Sequence, residues 1–121
     1  MKHNITLFGE PKSTNNIYKS TCRGRFASVY MSKEGKELKE SYTLQAMSQF
    51  KKKPYECELE VTVNLYHGTH RRSDIDNFNK ILFDSLTGLV WVDDSQIVVL
   101  TTRKHYDKNL PRIEIEINGK I

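Results

Sequence analysis

The stretch ECELEVTVNLY, residues 56–66, decides the fold because its apolar and polar residues alternate without a break. Successive side chains of a β-strand point to opposite faces, so a period of two predicts a strand with one buried face. That face needs a second layer to cover it, and the flanking segments must provide this layer. The apolar side of the strand consists of Cys57, Leu59, Val61, Val63 and Leu65.

A helical pattern lies on each side of this strand. The first helix is predicted over about residues 33–50, with Ser32 as its N-cap and KKKP, residues 51–54, as its stop. The second is predicted to start near Asp76 and to end at Gly88. Each helix has one apolar face, which suits packing against a sheet.

Further strands complete the predicted sheet. The polar stretch 13–25 is interpreted as a mobile loop or a loose hairpin, and DKNLP, residues 107–111, as the turn between the last two strands. The resulting order, β-β-α-β-α-β-β, predicts an α+β class in which two helices cover a small mixed sheet, with residues 1–121 forming one domain. The other predicted strands are residues 4–8, 25–31, 96–106 and 111–117.

Composition adds modest constraints. The chain has 121 residues and a formal net charge of +4, which fits a polyanionic partner but is common among soluble proteins. Cys22 and Cys57 form no CxxC motif, so we interpret them as reduced thiols of a cytosolic protein. The first residues lack the apolar core of a signal peptide, and no stretch has the length of a transmembrane helix. We therefore expect no membrane partner.

Carboxylates concentrate in RRSDIDNFNKILFDSLTGLVWVDDSQ, residues 71–96. If the chain is extended at Asp74 and Asp76, their side chains point to the same side. A short turn after the second helix could return Asp94, or Asp93, to the same neighbourhood. Three convergent carboxylates repel one another without a cation, and Mg²⁺ or Mn²⁺ is the hard ion that such oxygen ligands prefer.

A calcium loop of the EF-hand type is excluded by the same residues. DxDN begins like such a loop, which needs an oxygen ligand at its fifth position, glycine at its sixth and glutamate at its twelfth. Phe78, Asn79 and Ser85 stand at those three positions.

Each residue of the cluster also has a purely structural interpretation. Asp76 suits an N-cap, residues 93–94 suit a solvated turn, and Lys80 suits an ion pair with Asp76 or Asp84 at helical spacing. Together, DxDN, a lysine four residues after its second aspartate and WxDD form a pattern too specific for unrelated surface residues. Trp91 alone keeps its structural interpretation, as a residue that fills the core.

The combined pattern resembles the RusA family of Holliday-junction resolvases. Weaker matches at Pro11, residues 15–16, Tyr18 and residues 31–38 extend the resemblance over essentially the whole chain. The turn before Trp91 looks one residue shorter than the family's. The specific matches are residues 71–72, 74–77, 80, 84–87 and 91–96.

This resemblance implies a homodimeric, Mg²⁺-dependent endonuclease, with Mn²⁺ as a substitute ion. Such an enzyme resolves four-way DNA junctions by paired symmetric nicks, in recombination and repair. Asp74, Asp76 and Asp94 match the catalytic, metal-binding carboxylates, and Lys80 matches the catalytic lysine. The number of metal ions and the role of Asp93 stay open.

Basic residues near the cluster are candidates for phosphate contacts, which give salt-dependent and sequence-independent affinity. Ser73 stands where the family usually has a basic residue, so one such contact is absent. Lys51, Lys52 and Lys53 are also candidates for phosphate contacts, although a solvated helix end explains these lysines equally well. The predicted DNA-binding residues are Arg71, Arg72 and Lys104 beside the cluster, and Lys19, Arg23 and Arg25 on the early loop.

Other functions fit parts of the pattern. One is a nuclease for other branched DNA, such as forks or flaps, and another is a non-catalytic junction-binding module. The intact set Asp74, Asp76, Asp94 and Lys80 argues against the module. A small protein-interaction domain with an incidental acidic turn predicts neither metal dependence nor affinity for DNA.

A four-way junction has two-fold symmetry in its cut strands, so a C₂ dimer would present two identical sites to it. The strand at residues 57–65 and the first helix are candidate dimer surfaces, although a monomer core explains both equally well. The expected location is cytoplasmic: nucleoid-associated, or the host cytoplasm for a phage-encoded protein. The compact length is compatible with a phage or prophage source.

Overall fold

A four-stranded mixed β-sheet forms the centre of the fold. The computed structural model describes residues 2–12, 18–23, 26–70 and 75–120, and of residues 18–23, 26–31, 76 and 77 it describes only the backbone. Two short 3₁₀ turns, Ile75–Phe78 and Asp94–Gln96, flank the second helix and its following loop. The strands and helices are β1 Lys2–Phe8, β2 Tyr18–Arg23, β3 Phe26–Met31, α1 Lys33–Gln49, β4 Glu58–His67, α2 Asn79–Leu86, β5 Ile97–Tyr106 and β6 Arg112–Lys120.

The strands of the sheet follow the order β1-β6-β4-β5. β6 pairs antiparallel with both β1 and β4, whereas β4 and β5 run parallel. The predicted α+β class, a small mixed sheet with two helices, is therefore confirmed. Because β4 is hydrogen-bonded along both of its edges, the strand predicted at residues 57–65 has no open backbone edge for a second copy.

One face of the sheet is buried in the way that the alternation predicts. In β4 the odd-numbered residues from Leu59 to Leu65 are at most 1% exposed. Val63 lies opposite Ile115 of β6, and both side chains are buried. Cys57 precedes the strand and is only half-buried. The helices cover this face with Tyr42 and Ala46 of α1 and with Ile81, Leu82 and Leu86 of α2.

Helix α1 begins where the sequence predicts and also protects one edge of the sheet. The Ser32 hydroxyl oxygen accepts a hydrogen bond from the Gly35 backbone N–H at 3.1 Å, as expected of an N-cap. The Gln49 side chain accepts from the Thr6 N–H at 2.8 Å and donates to the Thr6 carbonyl at 2.7 Å. Gln45 accepts from the Phe8 N–H at 2.8 Å. Side chains of α1 thus satisfy the outer backbone edge of β1, where edge strands are exposed to unwanted pairing.

A hairpin occupies part of the polar stretch before α1. β2 pairs antiparallel with β3, from Tyr18 opposite Met31 to Arg23 opposite Phe26. The hairpin interpretation of this stretch is confirmed, and the mobile-loop interpretation is wrong for residues 18–23. The additional strand changes the element order to β-β-β-α-β-α-β-β. The sequence pattern does not indicate this strand, because most of residues 18–23 are polar and no alternation marks a buried face.

Strand β5 forms the other edge of the sheet. A register shift pairs Leu59 with Ile97 and Glu60 with Val99, so Val98 is the extra residue of a β-bulge. Beyond the bulge Leu65 lies opposite Lys104, which places the Lys104 side chain on the helix-covered side of the sheet. Within the described ranges, no helix is long and apolar enough to cross a lipid bilayer.

We expect the Ile115→Ala substitution to lower the free energy of unfolding by about 2–5 kcal/mol, because it leaves a cavity in the middle of the buried face. Glu116→Ala, at the next residue and on the opposite face, is the matched control. It is expected to change that free energy by no more than about 0.5 kcal/mol, since the exposed Lys2–Glu116 ion pair contributes little. Urea unfolding at neutral pH measures both, and equal losses would contradict a sheet with one buried face.

Candidate active site

A compact loop joins α2 to β5 and reverses the chain within a few residues. Gly88 adopts φ of +88°, a conformation that glycine accepts without strain, and its N–H donates to the Trp91 carbonyl at 2.7 Å. The Trp91 side chain is fully buried, and its Nε1–H donates to the Thr87 hydroxyl at 2.9 Å. Its ring meets the edge of Phe83 on α2 at 5.7 Å between centroids. The prediction that Trp91 fills the core is confirmed.

The segment before β4 holds this loop from the other side. The Tyr55 N–H donates to the Val90 carbonyl at 2.8 Å, and the Val92 N–H donates to the Tyr55 carbonyl at 3.3 Å. Further on, the Gln96 side-chain amide donates to the Tyr55 carbonyl at 2.8 Å and to the Cys57 carbonyl at 2.9 Å. The loop is therefore tied to the start of β4, and the two aspartates between its ties have a defined position.

Asp93 caps the 3₁₀ turn that follows it. Its carboxylate accepts from the Ser95 N–H at 3.1 Å, while the Gln96 side-chain oxygen accepts from the Asp93 N–H at 2.9 Å. These reciprocal bonds form a capping box. The hydrogen bond from the Ser95 N–H, followed by one from Asp94, lowers the pKa of Asp93. The carboxylate of Asp93 therefore orients the turn that carries Asp94.

Asp94 differs from its neighbour in its electrostatic surroundings. Partial desolvation raises its pKa first, followed by a hydrogen bond with Asp93 and by the negative charges of Asp93 and Asp84. The positive charge of Lys80 acts in the opposite direction. Lys80 lies 3.8 Å from Asp84, one helical turn further along α2, measured from Nζ to Oδ2. The fold therefore brings Asp94 of the loop to the exposed side of α2 that carries Lys80 and Asp84.

The segment that carries the first two predicted carboxylates is only partly described. Asp76 lies in the 3₁₀ turn Ile75–Phe78. The condition under which Asp74 and Asp76 would point to the same side, an extended chain over residues 73–76, is therefore not met at Ile75 and Asp76. Helix α2 starts after Phe78, which is its N-cap residue, so Asp76 is not the cap of that helix. The side chain of Asp76 and the whole of Asp74 lie outside the described part of the chain.

The predicted metal site can be compared with this arrangement only in part. Within the described part of the chain, no three His, Cys, Asp or Glu side chains are close enough together to hold a metal ion. The set Asp74, Asp76 and Asp94 therefore stays a prediction. Asp94 alone among the three is described in full, and its carboxylate is the hard oxygen donor that a divalent cation prefers. Desolvation, followed by the neighbouring carboxylates of Asp93 and Asp84, disfavours its charged form, which a nearby cation would favour.

The structure describes only some of the predicted DNA-binding residues. Lys104 is exposed on β5, on the same side of the sheet as α2. Arg23 is the last residue of β2, and only its backbone is described. Arg71, Arg72 and Arg25 lie outside the described residues. On the helix-free face of the sheet Glu60, Glu114 and Glu116 each pair with a basic side chain, Lys120, Arg112 and Lys2 respectively.

Two residues of this arrangement were not among the sequence-predicted site residues. Asp84 contributes to the field at Asp94, and its signal was its position four residues after Lys80, on one helix face. Gln96 ties the loop, and its signal was the D-x-x-Q spacing of a capping box from Asp93.

Comparison with known proteins adds an independent observation. A family model described as "Endodeoxyribonuclease RusA" matches residues 9–118. A curated protein of Shigella sonnei (strain Ss046), named "Crossover junction endodeoxyribonuclease RusA", is 30% identical over 97 residues, which cover 79% of this chain and 77% of that protein. The match includes the acidic segment, α2 and the Asp93–Asp94 turn.

Gln96→Ala is expected to lower the free energy of unfolding by about 1–3 kcal/mol, because the Tyr55 carbonyl, the Cys57 carbonyl and the Asp93 N–H each lose one hydrogen bond. Val92→Ala, an exposed substitution in the same loop, is the control and should cost less than about 0.5 kcal/mol. Urea unfolding compares the two. If Gln96→Ala is as mild as the control, Gln96 does not tie the loop to β4.

Proposed function

Because the chain belongs to the RusA family of endodeoxyribonucleases, we propose that it is a Mg²⁺-dependent enzyme that resolves four-way DNA junctions by paired symmetric nicks. The observation that supports this proposal is that the charges of Lys80 and Asp84 on α2 act on the carboxylate of Asp94, within the range that matches the family. Recombination and repair are the processes in which such junctions arise. The corresponding location is the cytoplasm, where the DNA is.

The proposed chemistry assigns a role to each residue. Asp74, Asp76 and Asp94 would hold the metal ion, which lowers the pKa of a bound water and polarises a phosphoryl oxygen. Lys80 lies on the first turn of α2, and its side chain is 59% exposed. Its ammonium group can therefore approach a bound phosphodiester and either stabilise the transition-state charge or orient the nucleophile. Asp84, paired with Lys80, holds the ammonium group on the Asp94 side of the helix.

Two identical sites are needed for paired nicks, which is the reason to propose a homodimer. The two cut strands of a four-way junction are related by a two-fold axis, and a C₂ dimer has the same symmetry. The relative from Shigella sonnei carries the words "crossover junction" in its name, which supports a branched substrate for this chain as well. Forks and flaps are the alternative branched substrates, and a non-catalytic junction-binding module is the alternative without turnover.

A cleavage assay separates these functions. A labelled synthetic four-way junction and a linear duplex of equal length are incubated with Mg²⁺, with Mn²⁺ or with EDTA. We expect symmetric nicks in the junction alone, with either metal and not with EDTA. Cleavage of forks or flaps in preference to the junction would favour the alternative nuclease. Tight binding without nicks would favour the module, and absence of binding would contradict the proposed function.

Asp76→Asn should abolish junction cleavage and leave junction binding equal or tighter, because one metal ligand is lost and one negative charge facing phosphate is removed. Glu60→Gln, which removes a carboxylate on the helix-free face, is the control and should cut like the wild type. Cleavage rates and gel-shift affinities are measured side by side. An Asp76→Asn protein that cuts at the wild-type rate would contradict the proposed site.

Lys104→Ala is expected to weaken junction binding without a change in sequence preference, and to reduce the slope of log K against log salt by about 1. Lys120→Ala is the matched control, because Lys120 pairs with Glu60 and lies on the helix-free face of the sheet. Its salt slope should equal that of the wild type. If both substitutions lower the slope equally, DNA does not discriminate between the two faces.

A further inference from the structure

A buried histidine lies at the end of β4, close to the segment that carries the acidic residues. His67 is the last residue of the strand and is only 8% exposed. Its carbonyl accepts a hydrogen bond from the Asp107 N–H at 2.8 Å, which joins the ends of β4 and β5. The mechanism proposed above does not use this imidazole, so its burial calls for a separate explanation.

Glu10, which follows β1, fixes both the imidazole and the residue after it. One Glu10 oxygen lies 3.5 Å from His67 Nδ1, and the other accepts a hydrogen bond from the Gly68 N–H at 2.7 Å. Gly68 has no room for a side chain, because an added Cβ would lie 2.7 Å from Pro111 Cγ and 3.0 Å from the Glu10 carboxylate. The carboxylate facing Nδ1 favours a proton on that nitrogen, so that in the neutral imidazole Nε2 is the nitrogen without a proton.

The other side of the imidazole contacts the start of α2. His67 meets the Phe78 ring edge-to-face, with centroids 5.2 Å apart. Phe78 is itself only 2% exposed and is the last residue of the 3₁₀ turn that contains Asp76. Lys80 follows it on the first turn of α2. One buried ring pair therefore connects the Glu10–His67 contact to the backbone that carries two of the predicted catalytic residues.

Two polar atoms next to this ring pair are buried at a cost. Among the residues that the structure describes, neither Nε2 of His67 nor Oδ1 of Asn79 has a hydrogen-bond partner. Asn79 uses its amide nitrogen alone, which donates to the Thr102 hydroxyl at 3.3 Å. An apolar ring in place of His67 would avoid the cost of burying Nε2. Sequence choices that oppose stability in this way are expected at functional sites.

We propose that His67, oriented by Glu10, is a positioning residue for the nuclease site. The Glu10 carboxylate facing Nδ1 sets the angle of the imidazole, and the imidazole at that angle positions the Phe78 ring. It thereby sets the orientation of the turn that carries Asp76 and of the first turn of α2 with Lys80. The inference rests on the proposed function, because it assigns His67 to the orientation of that site. It goes beyond the family pattern, because neither Glu10 nor His67 belongs to the acidic motifs.

The test is the His67→Phe substitution, which keeps a ring against Phe78 but removes both ring nitrogens. We expect a melting temperature equal to or above that of the wild type, since the substitution removes Nε2, a buried atom without a hydrogen-bond partner among the described residues. The kcat for junction cleavage should fall about 10–100-fold, the range found when a residue that orients metal ligands is lost. The Kd for the junction should not change. Glu10→Gln keeps an acceptor for Gly68 and should lower kcat in the same direction.

Tyr42→Phe is the matched control, because it also removes a polar atom from a buried aromatic residue, but on α1. It should leave kcat unchanged. A His67→Phe protein with wild-type kcat would overturn the proposal, and so would a loss of kcat explained by an equal loss of folded protein.

Hydrogen exchange provides a readout that does not depend on cleavage. Amides of residues 75–80 should exchange several-fold faster in Glu10→Gln and His67→Phe than in the wild type, while α1 amides stay unchanged. Unchanged exchange at residues 75–80 would overturn the positioning role. If the wild type itself fails to cut junctions, the proposed function fails, and the exchange measurement still decides whether His67 orders the turn.

Discussion

The arrangement of the candidate site depends on the hydrogen bonds between Tyr55 and the loop that follows α2. These bonds hold Val90 and Val92 on either side of the buried Trp91, and Trp91 in turn packs under α2. The hydrogen bonds of Val90 and Val92 and the packing of Trp91 between them fix the loop against the helix. Asp94 is therefore returned to the helix that carries Lys80, although 14 positions separate the two residues in the sequence.

The adjacent aspartates of that loop illustrate how local geometry separates two identical side chains. Asp93 accepts a backbone hydrogen bond that favours its charged form, whereas Asp94 faces Asp84 and Asp93 and is disfavoured in its charged form. A carboxylate that accepts backbone hydrogen bonds, like that of Asp93, fixes a turn. A carboxylate whose charged form is disfavoured, like that of Asp94, gains most from a nearby cation. The same division lets one loop supply both a rigid support and a candidate metal ligand.

Sequence patterns predicted the elements with a strong period and missed those without one. The alternation in β4 and the N-cap at Ser32 appear in the structure as predicted, because burial and capping are local constraints. The second helix was predicted to start near Asp76, whereas this part of the chain forms the 3₁₀ turn Ile75–Phe78 and α2 starts at Asn79. The contact of Phe78 with His67 of a distant strand has no local sequence signal. The Glu10–His67 contact was equally invisible, because it joins residues 57 positions apart that only the sheet brings together. The sequence predicted that a short turn could return Asp94, or Asp93, to the neighbourhood of Asp74 and Asp76, which stays a prediction. The influence of Asp84 on Asp94 became visible only with the geometry of α2.

Mn²⁺ binding, measured by electron paramagnetic resonance in the absence of DNA, tests whether Asp94 helps to hold a divalent cation next to α2. The wild type and the Asp94→Asn and Glu116→Gln proteins would be titrated under identical conditions. Asp94→Asn is expected to weaken Mn²⁺ binding at least about tenfold, whereas Glu116→Gln, on the opposite face of the sheet, should bind like the wild type. Equal Mn²⁺ affinity in all three proteins would contradict a metal site that includes Asp94.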